Sequence, residues 1–218
     1  MDLDKMIIKR ARIVLKLAFK HKLLILFLIL SLGTGCASVR SAYRNYKQNQ
    51  SERYNDALTR WTAQAQVYRG FETVYLATGT YKSPAFCKAF VNKYAKDYRL
   101  DSAAADRMMR DELARAKDSF EFILAASAGA RSINLESRDS LWRVYLDIEG
   151  FKQQSPIEIR NLKKERVRLK AFYSYITPWD EIYRIRFRRF PLPESVNSIC
   201  LVQTGVFGTA KLFFKLTD

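Results

Sequence analysis

The spacing of apolar residues changes near residue 117, and this change constrains the fold more than any other feature of the chain. Before it, apolar side chains recur every three or four residues, as in helices. After it, they alternate with polar side chains, as in half-buried strands. The clearest case is residues 183–188, where apolar and basic side chains alternate without exception. The sequence therefore predicts an α+β chain with its helices first and its strands second.

The first half has three segments with helical signals. Apolar residues from 54 to 68 recur at helical spacing, and Gly70 ends that pattern. Ser83 fits the N-cap of a helix, and Pro84 fits the first helical position after it. Asp101 followed by Ser102 begins a further helix. We therefore assign residues 52–117 to a helical region.

The second half predicts seven short strands separated by Gly and Pro residues. They cover residues 120–127, 141–147, 157–162, 166–173, 182–190, 199–203 and 209–216. Seven strands in about 100 residues with frequent turn signals predict an antiparallel β-sandwich over residues 118–218, immunoglobulin-like in arrangement. Such folds carry many unrelated functions, so the fold class assigns no activity.

The N-terminus has the features of an export signal. Residues 1–22 hold seven Lys or Arg, and residues 23–32 read LLILFLILSL. This apolar run is shorter than the roughly 20 residues that span a bilayer, but it fits the apolar region of a signal peptide. Gly33, Thr34, Gly35 and Cys36 follow directly.

Thr34, Gly35 and Cys36 resemble the last three lipobox positions of bacterial lipoprotein precursors, while Gly33 stands where Leu is usual. The resemblance implies a signal peptide at 1–35, cleavage before Cys36, acylation of that thiol, and a tether at 36–51. It also implies an outer-membrane destination, because Ala37 is not the Asp that retains lipoproteins at the inner membrane. Several acyl chains on Cys36 would anchor the protein stably.

Three other interpretations of this segment stay open. Ordinary signal peptidase could cut after Ala37, because Gly35 and Ala37 meet its demand for small residues. The apolar run could instead remain as an uncleaved anchor, helped by residues 13–19. Finally, Cys36 could be a small apolar residue of a buried helix.

The charge of the chain suits an anionic partner. The formal net charge is +16, of which +11 lies after residue 36. Lipid headgroups, anionic glycans and nucleic acid are all compatible with such a charge. Because the chain is predicted to be exported and has no nucleic-acid-binding motif, we expect no nucleic-acid partner.

Two of the predicted strands, 166–173 and 182–190, carry cations on one face. If residues 174–181 connect them, a hairpin presents six: Arg166, Arg168, Lys170, Arg184, Arg186 and Arg188. A register that pairs Arg168 with Arg186 sets like charges opposite each other, which is destabilising unless solvent, acids on neighbouring strands or an anionic partner relieves it. The hairpin is therefore either a solvated outer face or a surface that binds lipopolysaccharide, phospholipid or cell-wall polymer.

Two further groups of residues have both a functional and a structural interpretation. Tyr173, Tyr175 and Trp179 form an aromatic loop that either binds a sugar or a protein partner, or covers the core as a lid. Cys87 and Cys200 either form a disulfide in an oxidising periplasm or are two separate buried thiols.

The sequence offers little for catalysis. Its one histidine, His21, lies in the predicted signal peptide, so the mature chain has no His nucleophile system, general base or metal ligand. There is no CxxC spacing, and we expect neither a metal nor another cofactor. The sequence therefore predicts a lipid-anchored envelope protein that binds or scaffolds another component without catalysis. A glycan hydrolase that uses carboxylates remains the alternative, with these candidates: Glu136, Asp139, Asp147 and Glu149.

Overall fold

The computed structural model describes residues 52–129, 133–137 and 139–216, all within one compact unit. Cys36 lies outside the described residues, and so do the predicted signal peptide and tether. Among the helices of the described part, none is long and apolar enough to cross a membrane.

The described residues form four helices and eight strands. The helices are α1 (52–60), α2 (Pro84–Asp97), α3 (Ser102–Asp118) and α4 (Arg166–Lys170), the last preceded by a 3₁₀ turn at Lys163–Glu165. The strands are β1 (Thr62–Arg69), β2 (Glu72–Tyr81), β3 (Ser119–Ser127), β4 (Trp142–Asp147), β5 (Glu158–Asn161), β6 (Glu181–Arg188), β7 (Ser198–Gly205) and β8 (Gly208–Lys215). The chain is thus a mixed α+β protein.

The strands form two antiparallel sheets. One has the order β1-β2-β3-β6-β5, and the other has the order β4-β7-β8. Aromatic side chains join them: Tyr75 stacks on Trp142 at 4.0 Å between ring centroids and donates a hydrogen bond to Gln203 Oε1 at 2.9 Å. Phe122 of the larger sheet contacts Phe214 of the smaller one. The main core lies between these two faces.

The outer face of the five-stranded sheet is covered by helices and by the segment after α4. Tyr175 donates to the carbonyl of Ile123 on β3, and Tyr173 contacts Phe86 of α2. Because β3 is therefore covered on both sides, every residue from Ser119 to Ala126 is buried. This explains why β3 reads as an apolar run rather than as an alternating strand.

The structure confirms six of the predicted strands and two of the predicted helix starts. β3 to β8 occupy the predicted segments apart from 166–173, with ends shifted by a few residues. Ser83 caps α2 by accepting a hydrogen bond from the Phe86 amide, and Asp101 caps α3 by accepting one from the Ala104 amide.

The prediction of one long helix from residue 54 to 68 is wrong. The helix ends at residue 60, and β1 and β2 form a hairpin through a turn in which Gly70 has a φ of 62°. Polar and apolar residues alternate from Thr62 to Val67 of β1, so a strand pattern overlaps the helical one at Ala65. Hydrogen bonding to β2 stabilises residues 62–69 as a strand. As a result, the predicted helical region at 52–117 also contains two strands, and β2 pairs directly with β3.

The strand predicted at 166–173 is also wrong. Residues 166–170 are helical, Leu169 packs against the core three residues before Phe172, and Val167 is exposed. Five residues in which basic and apolar side chains alternate fit a short helix as well as a strand. Here the contacts of Leu169 and Phe172 with the core favour the helix.

Candidate anion-binding site

The predicted basic hairpin does not form. β6 lies between β3 and β5, and Glu158 rather than Arg168 stands opposite Arg186. The neighbours of β6 in the sheet come from segments that precede the predicted partner strand. The six predicted cations are therefore divided among three places in the structure.

Acids on neighbouring strands neutralise Arg184 and Arg186. Glu158 Oε1 accepts from Arg184 Nη2 at 2.7 Å, and its Oε2 accepts from Arg186 Nη1 at 3.0 Å. Glu121 Oε2 lies 3.8 Å from Arg186 Nε. The hydrogen bonds from Arg184 and Arg186 lower the pKa of Glu158 against the opposing effect of burial. These two arginines hold β5, β6 and β3 together rather than offering an anion site.

The ion pairs continue into the interior between the sheet and α3. Lys82 Nζ lies 2.7 Å from Glu112 Oε2 and 2.8 Å from Glu121 Oε1, and each of the three side chains is less than a tenth exposed. Arg115 Nη2 lies 2.6 Å from the second oxygen of Glu112. We call Lys82, Glu112 and Glu121 the buried charge cluster.

The buried charge cluster is closed, and the pKa values of Glu112 and Lys82 both shift towards the charged form. Burial acts to raise the pKa of Glu112, but Lys82 and Arg115 outweigh it, so the pKa is lowered. Burial acts to lower the pKa of Lys82, but Glu121 and Glu112 outweigh it, so that pKa is raised. Because each charge already has a partner and no side chain reaches the surface, the cluster has the character of a structural bridge.

Cys87 and Cys200 are both buried and free in the structure, as in the interpretation of two separate buried thiols. Cys87 lies on α2 with its Sγ 3.9 Å from Glu112 Oε2, whereas Cys200 lies on β7 of the three-stranded sheet. Burial raises the pKa of the Cys87 thiol to about 12 and that of Cys200 to about 11. Both thiols are thus protonated at neutral pH and poor nucleophiles.

The aromatic loop divides into a buried and an exposed part. Tyr173 is buried against α2, and the Tyr175 hydroxyl lies 2.9 Å from Thr80 Oγ1 beneath the surface, as in the lid interpretation. Trp179 instead points to solvent and is 85% exposed. Arg166, Arg168 and Lys170 lie nearby on α4. Arg166 donates to the carbonyls of Thr177 and Asp180 at 2.5 and 2.6 Å.

Arg188 has a different environment from the other cations of β6. It lies at the end of the strand and lines an open cleft of about 580 Å³. Small-molecule sites typically measure about 300–1,000 Å³. The cleft residues are Phe151, Lys152, Gln153, Gln154, Ser155, Arg188 and Phe190. Neither Arg188 nor Lys152 forms an ion pair with an acid that the structure describes.

Backbone hydrogen bonds fix the wall of this cleft. Gln154 exchanges two of them with Leu146 of β4, both at 2.9 Å, and the Ile157 amide donates to the carbonyl of Arg186 at 2.8 Å. The segment 151–155 is thus held against the end of β6. The rings of Phe151 and Phe190 lie 4.9 Å apart between centroids, so the cleft has an apolar side next to its two cations.

The cleft can bind an anion that carries apolar or hydroxyl surface. Arg and Lys form charge-assisted hydrogen bonds with carboxylates and phosphates. The amides of Gln153 and Gln154 can donate to and accept from hydroxyl groups, and the two rings offer a face on which a sugar ring can pack. Together these groups match a sugar that bears a negative charge.

Sequence reasoning found Arg188 but missed its neighbours in the cleft. Phe151-Lys152 and Arg189-Phe190 each set a cation beside an aromatic residue in a connecting segment, and this was the local signal available. Of the four carboxylates proposed for a hydrolase, Glu136 accepts a hydrogen bond from the Asn161 amide at 2.6 Å. Within the described ranges, no three His, Cys, Asp or Glu side chains are grouped so that they could hold a metal ion.

Comparison with known proteins assigns no family to this chain. No family model matches the chain, and no curated protein matches it. A crystal structure at 1.90 Å resolution of a novel protein of unknown function from Burkholderia pseudomallei K96243 has 11% sequence identity to this chain. The alignment covers 79% of this chain and 87% of that one with a TM-score of 0.41, which is too low to support an argument about fold or function.

Proposed function

We propose that this chain is a lipid-anchored, non-catalytic binding module of the bacterial cell envelope whose cleft at Arg188 takes an anionic sugar unit of an envelope polymer. The anchor is Cys36, on the lipobox pattern at residues 34–36. The observation that carries the binding proposal is the cleft, where Arg188 and Lys152 stand beside the rings of Phe151 and Phe190.

The electrostatics of β6 favour this cleft over the rest of the strand. Arg184 and Arg186 are already bound to Glu158, so an incoming anion would have to displace a carboxylate. Arg188 and Lys152 have no such competitor among the described acids. A ligand carboxylate or phosphate could therefore form ion pairs with Arg188 and Lys152 without breaking an existing ion pair.

We further infer that seven of the strands form an immunoglobulin-like sandwich. Constant-type domains of that class have strands A, B, E and D in one sheet and C, F and G in the other. With β2 to β8 taken as A to G, the order β2-β3-β6-β5 and the order β4-β7-β8 correspond strand by strand. β1 is then an added edge strand, and α2 and α3 are an insertion between A and B.

A hydrolase is the weaker proposal for this chain. The two carboxylates of the buried charge cluster, Glu112 and Glu121, share Lys82 and are buried, so a glycan could not reach them. Glycosidases need two carboxylates that face an accessible sugar.

The cleft is tested by calorimetric titration with short oligosaccharides that carry a carboxylate or a phosphate, beside neutral ones of the same length. We expect Arg188→Gln to weaken binding of the charged ligands about 10- to 100-fold, the value of a charge-assisted hydrogen bond. Binding should also weaken as salt is raised. Phe151→Ala should weaken charged and neutral ligands alike.

Arg107→Gln is the matched control, because it removes the same charge from an exposed position on α3. Equal affinity for charged and neutral ligands would overturn the proposal, and so would equal losses in the two arginine variants. The anchor is tested separately by mass spectrometry of the mature N-terminus. A Cys36 that carries no acyl group would contradict it.

A further inference from the structure

The connection between β5 and β6 exposes a second surface, away from the cleft. We call it the α4 surface and define it by Lys163, Lys164, Val167, Arg168, Lys170 and Trp179. Its two large apolar side chains are almost fully exposed, Val167 at 89% and Trp179 at 85%. Such exposure of a Trp beside a group of cations is unusual for a side chain that has only a packing role.

Trp179 is held outward by a braced turn. Asp180 Oδ2 accepts from the Thr177 amide at 2.6 Å, and Arg166 binds the carbonyls of both residues. Beneath this turn Phe172 and Ile176 are already buried in the core. The core is therefore complete without the indole, and the turn presents Trp179 to the outside.

The α4 surface is positively charged. Residues 160–170 contain six cations and one acid. Lys163 is paired with Glu181, and Arg168 is paired with Glu165. Lys164 and Lys170 are exposed and form no ion pair with an acid of the described ranges. An anionic surface would complement these free charges.

Other exposed apolar residues lie at the same end of the strands. β5 ends and β6 begins at this end. The β1–β2 turn lies at the same end, because the last residues of β3 pair with the first residues of β6 and with the first half of β2. The β1–β2 turn carries Phe71, which is fully exposed. A Cβ at Gly208 would lie 2.6 Å from Val67, so the β7–β8 turn with its exposed Val206 is adjacent. Several turns at one end thus present exposed apolar side chains.

The described chain also begins next to the α4 surface. Tyr54, in the first turn of the described part of α1, donates to the carbonyl of Phe172 at 2.8 Å, two residues after Lys170. The 16 residues from Cys36 to residue 51 can reach at most about 55 Å. This step rests on the proposed lipid attachment: an acyl group on Cys36 would hold the α4 surface within that distance of the bilayer.

From these observations we infer that the α4 surface docks on an anionic lipid bilayer. The indole of Trp179 would lie at headgroup level, the position that Trp prefers at membrane interfaces. Val167 would enter beside it, and Lys164 and Lys170 would face lipid phosphates. A bilayer accepts exposed apolar turns without a complementary groove, whereas a protein partner would need one.

The three tryptophans of the chain make the test direct. Trp61 and Trp142 are buried, so quenching by lipids with brominated acyl chains reports on Trp179. The full chain is reconstituted in vesicles of phosphatidylcholine with about a quarter phosphatidylglycerol, and separately in phosphatidylcholine alone. We expect quenching in the anionic vesicles, less in the neutral ones, and none after Trp179→Phe.

Charge variants then test the electrostatic part. Each Lys near an anionic membrane contributes about 1 kcal/mol, so Lys164→Gln with Lys170→Gln should lower the ratio of docked to undocked protein about 30-fold. Lys88→Gln with Lys117→Gln removes the same charge from exposed positions on α2 and α3 and should leave quenching unchanged.

Two results would overturn the inference. One is a Trp179 that stays open to a water-soluble quencher in anionic vesicles, and the other is quenching that the two double variants lower equally. Neither outcome depends on Arg188 or on a sugar ligand. Repeating the measurement with Cys36→Ser separates docking from anchoring, because the α4 surface is unchanged in that variant.

Discussion

At the scale of single residues, the decisive interaction is one between charges that are distant in sequence. Lys82 follows β2, and its partners Glu112 and Glu121 lie 30 and 39 residues further along the chain. Removing Lys82 would leave Glu112 with Arg115 alone and Glu121 with only the more distant Arg186, at 3.8 Å. A buried charge that loses its main partner is far more costly than a lost surface pair. Lys82 therefore has more effect on stability than any of the exposed lysines.

We expect Lys82→Met to lower the free energy of unfolding by about 3–5 kcal/mol. Lys163→Met, which breaks an exposed pair with Glu181, should cost at most about 1 kcal/mol. Urea denaturation followed by circular dichroism measures both values.

The triple variant Lys82→Met, Glu112→Leu, Glu121→Leu should recover most of the loss, because it leaves no unpaired acid in the buried charge cluster. If Lys82→Met is as mild as Lys163→Met, the cluster is not the bridge described above. If the triple variant is less stable than Lys82→Met, the buried acids have favourable contacts besides Lys82.

At the scale of elements, local signals were enough where a cap marks the boundary. Ser83 with Pro84 and Asp101 with Ser102 start α2 and α3 because their side chains satisfy amides that a helix leaves free. Residues 62–69 lack such a marker and fit two patterns, so pairing with β2 determined their conformation.

We expect Asp101→Ala to destabilise the protein by about 1 kcal/mol, since the Ala104 amide then loses its acceptor. Asp101→Asn keeps an acceptor oxygen and should cost much less. Asp106→Ala is the control, because it removes an exposed acid from the same helix outside the cap. Thermal unfolding of the three variants distinguishes them. Equal shifts for Asp101→Ala and Asp101→Asn would mean that the cap does not stabilise α3.

At the scale of the whole molecule, ion pairs join the helical layer to the larger sheet. They run from Arg115 and Glu112 on α3 through Lys82 and Glu121 to Arg186 and Glu158 at the sheet edge. The stability of the assembled layers should therefore depend on pH at both extremes.

The signs follow from the pKa directions. Glu112 and Glu158 have pKa values lowered from 4.5, so their stabilisation is complete above pH 4.5 and is lost as pH falls through their folded-state values. The raised thiol pKa values of Cys87 and Cys200 act at the alkaline end. Their contribution is complete below pH 9.0 and falls as pH rises towards about 11 and 12.

We expect a plateau of stability between about pH 5 and pH 9, with losses on either side. Denaturant unfolding across this range measures it. Glu158→Gln should flatten the acid side while leaving the alkaline side unchanged, and Cys87→Ala should do the reverse. An acid side that Glu158→Gln leaves equally steep would contradict the assignment of this carboxyl group.

The sequence by itself determined the local features of this protein. The capped helix starts, the strands β4 to β8 and the basic composition all depend on residues that are close together in the chain. Their physical basis is local: side chains of neighbours satisfy backbone groups, and one face of each element is apolar.

Only the tertiary structure decided which elements became neighbours, and that choice assigned each charge its role. The order of the strands set Glu158 beside Arg184 and Arg186, removed the predicted basic hairpin, and left Arg188 in a cleft with Phe151 and Lys152. Burial and pairing depend on residues that are far apart in sequence. An Arg that pairs with an acid across the sheet and an Arg that lines a cleft therefore have the same local sequence pattern.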